Sequence, residues 1–220
     1  MDLITQEIVS LNTQKVFQLP GLPAAYALYG NVEICDSDPD APTILDLSAE
    51  MSRLVRSRQF IPPDLLAYST DVASELQSLL IDAKARGAVF YGSDAYPDGT
   101  AIARILFFGY FNGVPCETNI MFRHRNETLC HQIVSVVDLQ KANPEILGSL
   151  AIERRLFSQQ QSEKTSLFEA AQNIERYIQA CDCDEGRASD ATCFFIGGHI
   201  HIAAITSTCF HWLKPPFIDG

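Results

Sequence analysis

Residues 101 to 125 read AIARILFFGYFNGVPCETNIMFRHR, and this stretch decides the fold. Asn112 and Gly113 separate two apolar runs, and they favour a type I′ turn because both central positions of that turn need a positive φ. A two-residue loop pairs the positions whose numbers sum to 225, so that Gly109 lies opposite Cys116. One face of the resulting hairpin is apolar, as a core face must be. The stretch therefore predicts a β-hairpin in this register.

The hairpin belongs to a longer antiparallel pattern that runs from Ala88 to Leu139 and predicts a β-meander. Its second face is apolar on the strand before the turn and charged on the strand after it, which indicates partial cover by helices. Pro115 has no N–H and cannot donate a hydrogen bond to a further strand. We therefore expect the Val114 end of the hairpin to lie at an edge.

The remaining sequence alternates between helical and strand patterns. Apolar residues at helical spacing and breaks at Pro and Gly predict helices at 47–60, 71–86, 143–157 and 163–180. Shorter apolar runs predict further strands at 16–30, 193–196 and 199–206. The predicted fold class is α+β: an antiparallel β-meander sheet with three or four helices packed on it. We interpret residues 1–220 as a single α+β domain, with 158–162 as a candidate linker.

Composition limits the compartment and the partners. Of the 220 residues, 47% are hydrophobic, and no apolar run is long enough to predict a membrane span. The first residues do not resemble a secretory signal, and the seven cysteines are scattered, so we expect a cytoplasmic protein with unpaired thiols. A net charge of −11 disfavours nucleic acid as a partner. The expected partner is a protein or a small-molecule ligand, and the sequence also leaves room for a homo-oligomer.

His199 and His201 form the first candidate site. Residues two apart on a strand share a face, so their imidazoles would lie about 7 Å apart. Two such histidines can bind one metal, but a zinc site needs at least a third protein ligand, and no third ligand follows at short spacing. The metal is therefore left unknown. The alternative is that both are ordinary polar residues on the open face of a sheet.

Cys116 and His131 form the second candidate site. Cys116 faces Gly109 in the predicted register, and a glycine inside a strand leaves room beside it. A nucleophilic thiol needs a histidine or another cation nearby to hold its thiolate. Cys130 precedes His131 directly, but neighbours on a strand point to opposite faces and cannot form a dyad. The alternative for each cysteine is an ordinary buried thiol.

Three arginines of the meander, Arg104, Arg123 and Arg125, form a candidate anion-binding group. Guanidinium groups bind carboxylates and phosphates through paired hydrogen bonds. In a chain with 27 acidic residues, they could equally form ordinary surface ion pairs.

The motifs of the large enzyme classes are missing: the sequence contains no phosphate-binding glycine loop, no G-x-S-x-G and no H-E-x-x-H. The first interpretation is therefore a regulatory domain that binds a protein or a small ligand. The alternative is a small hydrolase- or transferase-like enzyme, with or without metal assistance. Its site would gather, on one sheet face, His199, His201, His131 and Cys116, with the three arginines holding an anionic substrate. The sequence decides neither whether the chain is an enzyme nor which cofactor it would use.

Overall fold

The computed structural model describes residues 14–30, 33–35, 43–58, 64–88, 90, 101–125, 128–133, 137–139, 149–157, 166–196 and 200–216. Its strands are β1 (Val16–Gln18), β2 (Ala24–Gly30), β3 (Glu33–Ile34), β4 (Leu45–Asp46), β5 (Ala101–Phe111), β6 (Val114–Arg125), β7 (Thr128–Ile133), β8 (Val137–Asp138), β9 (Ile202–Ile205) and β10 (Phe210–Lys214). Its helices are α1 (Leu47–Ser57), α2 (Leu65–Ala85), α3 (Leu150–Phe157), α4 (Leu167–Cys181), α5 (Asp184–Ser189) and a 3-10 helix (Ala191–Phe195).

The chain divides into two compact units. The sheet unit comprises Lys15–Asn143 and Ile205–Phe210, and the helical unit comprises Met1–Gln14, Pro144–Ala204 and His211–Gly220. The interpretation of residues 1–220 as one domain stays a prediction, and the candidate linker at 158–162 lies outside the described residues.

An antiparallel sheet of six strands forms the sheet unit, in the order β1-β2-β5-β6-β7 with β8 also paired to β6. The predicted register of the central hairpin is confirmed, since Gly109 pairs with Cys116 and Phe111 with Val114. Asn112 and Gly113 have φ of 53° and 77°, as the turn requires. The fold class, α+β with an antiparallel sheet, is thereby confirmed.

Pro115 takes part in the sheet as an acceptor. Its carbonyl oxygen accepts a hydrogen bond from the Leu139 N–H at 3.0 Å, and the next residue, Cys116, pairs with Asp138 of β8. The missing N–H therefore does not prevent a further strand from pairing beside it. The prediction that this end of the hairpin lies at an edge is therefore wrong at Pro115, although the Val114 side chain is exposed.

Two helices cover the inner face of this sheet. These helices are α1, with Asp46 as its N-cap, and α2, with Asp64 as its N-cap. Each carboxylate accepts two backbone N–H groups at the start of its helix. The predicted helix at 71–86 therefore begins six residues earlier, at Leu65, and ends before Gly87 as predicted. Side chains of both helices and of the inner face form one buried core. At its centre, Phe107 contacts the rings of Tyr26 and Tyr68.

Gly109 lets β2 approach β5 closely. It has a φ of +144°, and a Cβ at this position would lie 2.6 Å from the Pro23 carbonyl oxygen and overlap Ala24. The space beside this glycine is thus filled by the backbone of β2 and is not left open for Cys116.

The helical unit corrects one sequence prediction. Residues 193–196 were expected to form a strand, but 193–195 belong to the 3-10 helix, which begins at Ala191 because the Asp190 carboxylate caps it through the Thr192 N–H. The acidic stretch before Asp190 contains α5. The helix predicted at 163–180 is observed as α4, which begins with a capping box between Ser166 and Glu169. Five α-helices are present in the described part of the chain, against the three or four expected.

None of these described helices combines the length and the apolar character that crossing a membrane requires.

Candidate functional site

The outer face of the six-stranded sheet carries a mixture of apolar and charged side chains. We use "outer face" for the strand positions that alternate with the core positions. The apolar residues at the centre of the outer face are half-buried, whereas the core positions that alternate with them are fully buried. These half-buried residues are Leu106, Phe108, Tyr110 and Met121. Side chains on this face therefore remain accessible at the middle of the sheet.

Two of the predicted anion-binding residues lie together on this face. Arg104 pairs with Met121 across β5 and β6, and Arg123 is two residues further along β6, so both arginines flank the same methionine. Diagonal neighbours of this kind lie about 7–8 Å apart between backbones, within reach of two long side chains. Tyr29 of β2 stands on the other side of Arg104. The outer face thus holds two guanidinium groups beside a thioether and a tyrosine.

Arg123 has an unusual set of neighbours. Its Nη2 lies 3.5 Å from the Met121 sulfur, which is a weak acceptor. Its Nε is buried, and no hydrogen-bond partner for it exists among the described residues. A buried donor without an acceptor is unfavourable by about 1–3 kcal/mol, so an acceptor at this position would be stabilising.

Five other cations in the described residues have carboxylate partners. Salt bridges of 2.5–3.7 Å join acidic side chains to Arg53, Arg58, Arg86, Arg187 and Lys214. The predicted alternative, that the meander arginines form ordinary ion pairs, is not observed for Arg123 within the described part. Arg125 pairs with Thr128 in the backbone register, but its side chain lies outside that part.

The structure separates Cys116 from His131. His131 pairs with Phe122, which is six residues along β6 from Cys116, so the two side chains share the inner face about 20 Å apart. Burial raises the pKa of the Cys116 thiol, and the charge of Asp138 acts in the same direction, against a hydrogen bond with the Phe111 backbone that lowers it. The thiol is therefore poorly placed to form a thiolate.

His131 is held by helix α2. Its backbone N–H donates to the Gln77 side-chain oxygen at 3.1 Å, and its ring Nδ1 contacts the same oxygen. The edge of its ring faces Phe122 at 6.4 Å. These contacts fix the imidazole between α2 and β7, without a cysteine partner among the contacts observed.

The histidine pair is only partly described. His199 lies outside the described residues, and His201 is a half-buried residue just before β9 in the helical unit. It is therefore not on the six-stranded sheet that carries Cys116 and His131. Within the ranges that the structure describes, no group of three or more histidine, cysteine or acidic side chains could hold a metal ion.

Two neighbours of the arginines, Met121 and Tyr29, were not singled out from the sequence. The register around the Asn-Gly turn already pairs Arg104 with Met121, so the sequence contained that signal. Tyr29 reaches the site only because β2 lies beside β5, and hydrophobic alternation does not specify which strands become neighbours.

No protein-family model matches the chain, and comparisons with curated proteins and with solved structures return no match.

Proposed function

We propose that the chain is a binding domain that holds an anionic group of a protein or a small molecule on the outer face of its six-stranded sheet. Arg123 would bind the carboxylate or phosphate oxygens directly, and Arg104 would add a second positive charge. The observation that carries the proposal is the buried Nε of Arg123, which lacks an acceptor among the described residues.

A bound oxyanion would change the hydrogen bonds of Arg123. An arginine presents its N–H groups as a planar fork, and a carboxylate or phosphate can accept two of them at once. Because Nε is buried, such a ligand would reach it after the guanidinium group turns toward solvent and gives up its weak contact with the Met121 sulfur, and would then supply the acceptor that Nε lacks. The half-buried position would also screen the interaction less than a fully exposed one.

The apolar side chains near the arginines favour a ligand that has an apolar portion as well as an anionic group. Leu106 and Phe108 share the outer face with the arginines and remain half-buried. A ligand with an apolar portion next to its anionic group would contact both kinds of surface. A regulatory role through such binding, a cytoplasmic location and a homo-oligomer remain part of the proposal. The hydrolase- or transferase-like alternative also stays a prediction, and its cofactor remains unknown.

Titrations followed by amide NMR would test this proposal. We would add inorganic phosphate, sodium benzoate and a glutamate-rich peptide separately, and follow the amides of β5 and β6. We expect shifts around Met121 and Arg123 with at least one of these anions, and the comparison between free anions and the peptide distinguishes the two sources of ligand.

The matched variants are Arg123→Gln and Arg154→Gln. Both remove one positive charge, but Arg154 is an exposed residue of α3 in the helical unit. We expect Arg123→Gln to weaken binding at least about tenfold, the loss of one charge-assisted hydrogen bond, and Arg154→Gln to bind as the unmodified protein does. Equal affinities for the two variants would refute the proposed site.

A further inference from the structure

Two buried cysteines meet in the core of the helical unit. Cys181 is the last residue of α4, Cys193 lies in the 3-10 helix, and neither is exposed to solvent. Both belong to a small buried cluster that also contains Ile152 and Tyr177. Their thiols form a hydrogen bond with each other. Two cysteines that are 12 positions apart in the chain are therefore neighbours in space.

Other contacts hold the backbone between the two cysteines in place. Helix α5 packs closely on the end of α4 at Gly186, where a Cβ would overlap the carbonyl oxygen of Ala180. Asp190 caps the 3-10 helix that carries Cys193, and its carboxylate also accepts the Ser149 hydroxyl at 2.6 Å. The fold itself thus brings the two thiols together.

Cys183 is closer to Cys181 in the sequence, but its thiol contacts the backbone. Its Sγ donates to the carbonyl oxygen of Ala180 at 3.3 Å and accepts the Gly186 N–H at 3.4 Å, as the N-cap of α5. A bond between Cys181 and Cys183 would have to break this cap. Cys193 is therefore the better partner for Cys181.

The reduced pair is chemically quiet in the folded protein. Burial raises the pKa of the Cys181 thiol to about 11, and the hydrogen bond with Cys193 acts in the same direction, against one with Tyr177 that lowers it. Only the thiolate attacks another sulfur, so oxidation of the folded protein should be slow at pH 7. A bond that forms during folding would be shielded from reductants in the same way, because both sulfurs are then buried.

We propose that Cys181 and Cys193 form an intramolecular disulfide when a small disulfide such as oxidised glutathione is the oxidant. One cysteine thiolate attacks a sulfur of glutathione disulfide, which breaks its S–S bond and releases one glutathione. The second cysteine then attacks the mixed disulfide and releases the other glutathione. The two protein thiols are oxidised, and their protons end on the two glutathione thiols. This bond does not depend on the anion site of the outer face.

The fold and the bond should favour each other. A disulfide needs its sulfurs about 2 Å apart, and hydrogen-bonded thiols need little movement to reach that distance. A disulfide stabilises a folded protein mainly because it restricts the unfolded chain. By linkage, the folded state should favour the disulfide over the thiols at least about tenfold more than the unfolded chain does.

Refolding of the full chain at a series of glutathione redox ratios tests this inference. Free thiols are blocked with N-ethylmaleimide, and cross-linked peptides are mapped by mass spectrometry. A protease that cuts before aspartate separates Cys181, Cys183 and Cys193, because Asp182 and Asp184 lie between them. We expect a link between the peptides of Cys181 and Cys193, a labelled Cys183, and reversal by dithiothreitol. The same titration in concentrated urea should need an at least about tenfold more oxidising ratio.

The variants Cys181→Ala and Cys193→Ala each remove one sulfur of the pair, and each should abolish the link. The second variant also distinguishes Cys193 from Cys209, which stays on the same peptide after this digestion. The matched control is Cys183→Ser, which keeps a side chain that can cap α5. We expect this control to form the link as the unmodified protein does.

Four results would overturn this inference. They are maleimide labelling of Cys181 and Cys193 at every redox ratio, a link from Cys181 to Cys183, a link that persists in Cys193→Ala, and equal redox equilibria in buffer and in urea. The mapping and the urea comparison use the unmodified protein, so they decide the question even if an alanine variant fails to fold.

Discussion

At the scale of single residues, two buried tyrosines differ in what their hydroxyl groups contact. Burial raises the pKa of both, that of Tyr68 to about 12, so each phenol stays neutral at physiological pH. The Tyr68 hydroxyl has no hydrogen-bond partner among the described residues. The Tyr177 hydroxyl instead accepts the Ser149 N–H at 2.6 Å and donates to the carbonyl oxygen of the same residue.

Replacing each tyrosine with phenylalanine should therefore have different effects. Tyr68→Phe removes an unsatisfied group, so we expect the free energy of unfolding to stay constant or to rise by up to about 1 kcal/mol. Tyr177→Phe leaves a buried N–H without its acceptor and should lower the free energy of unfolding by about 1–3 kcal/mol. Urea unfolding of the two variants measures both values. If Tyr68→Phe lowered the free energy of unfolding as much as Tyr177→Phe does, the Tyr68 hydroxyl would have a hydrogen-bond partner.

At the scale of secondary-structure elements, two glycines of the hairpin have different requirements. Both have positive φ, but a Cβ on Gly113 would meet nothing within 4 Å, whereas one on Gly109 would overlap the backbone of β2. We expect Gly113→Ala to destabilise by about 1 kcal/mol, from backbone strain alone. Gly109→Ala should cost at least about 3 kcal/mol, because β2 and β5 must also move apart. Thermal unfolding of both variants tests this order, and similar losses would contradict the close approach of β2.

The secondary-structure elements also show which features of the fold could be predicted from the sequence. The Asn112-Gly113 turn and the alternating pattern predicted the hairpin register, because both signals are local in the chain. The 3-10 helix was missed because the polar cap of Asp190 outweighed an apolar run that resembles a strand. The site was predictable only in part. The register brings Arg104 and Arg123 together, but whether His131 meets Cys116 depends on their positions along the strands, which residue types do not reveal.

At the scale of the whole molecule, the chain carries a net charge of −11, although the proposed binding face is built on arginine. Long-range repulsion should slow the approach of an anionic ligand at low salt, where the Debye length is about 30 Å. We expect the association rate of the glutamate-rich peptide to rise several-fold between 10 and 150 mM salt, measured by stopped-flow mixing. A rate that falls with salt would show that a local positive field around the arginines dominates instead.

The lengths of the strands bear on how copies of the chain could meet. β5 and β6, at the centre of the sheet, have 11 and 12 residues, whereas β1 has three, β7 has six and β8 has two. A short border strand offers a neighbouring molecule few consecutive backbone groups with which to extend the sheet. Growth into continuous intermolecular sheets, the first step toward fibrils, is therefore disfavoured at these borders. A homo-oligomer of this chain would more readily assemble through side chains on a face.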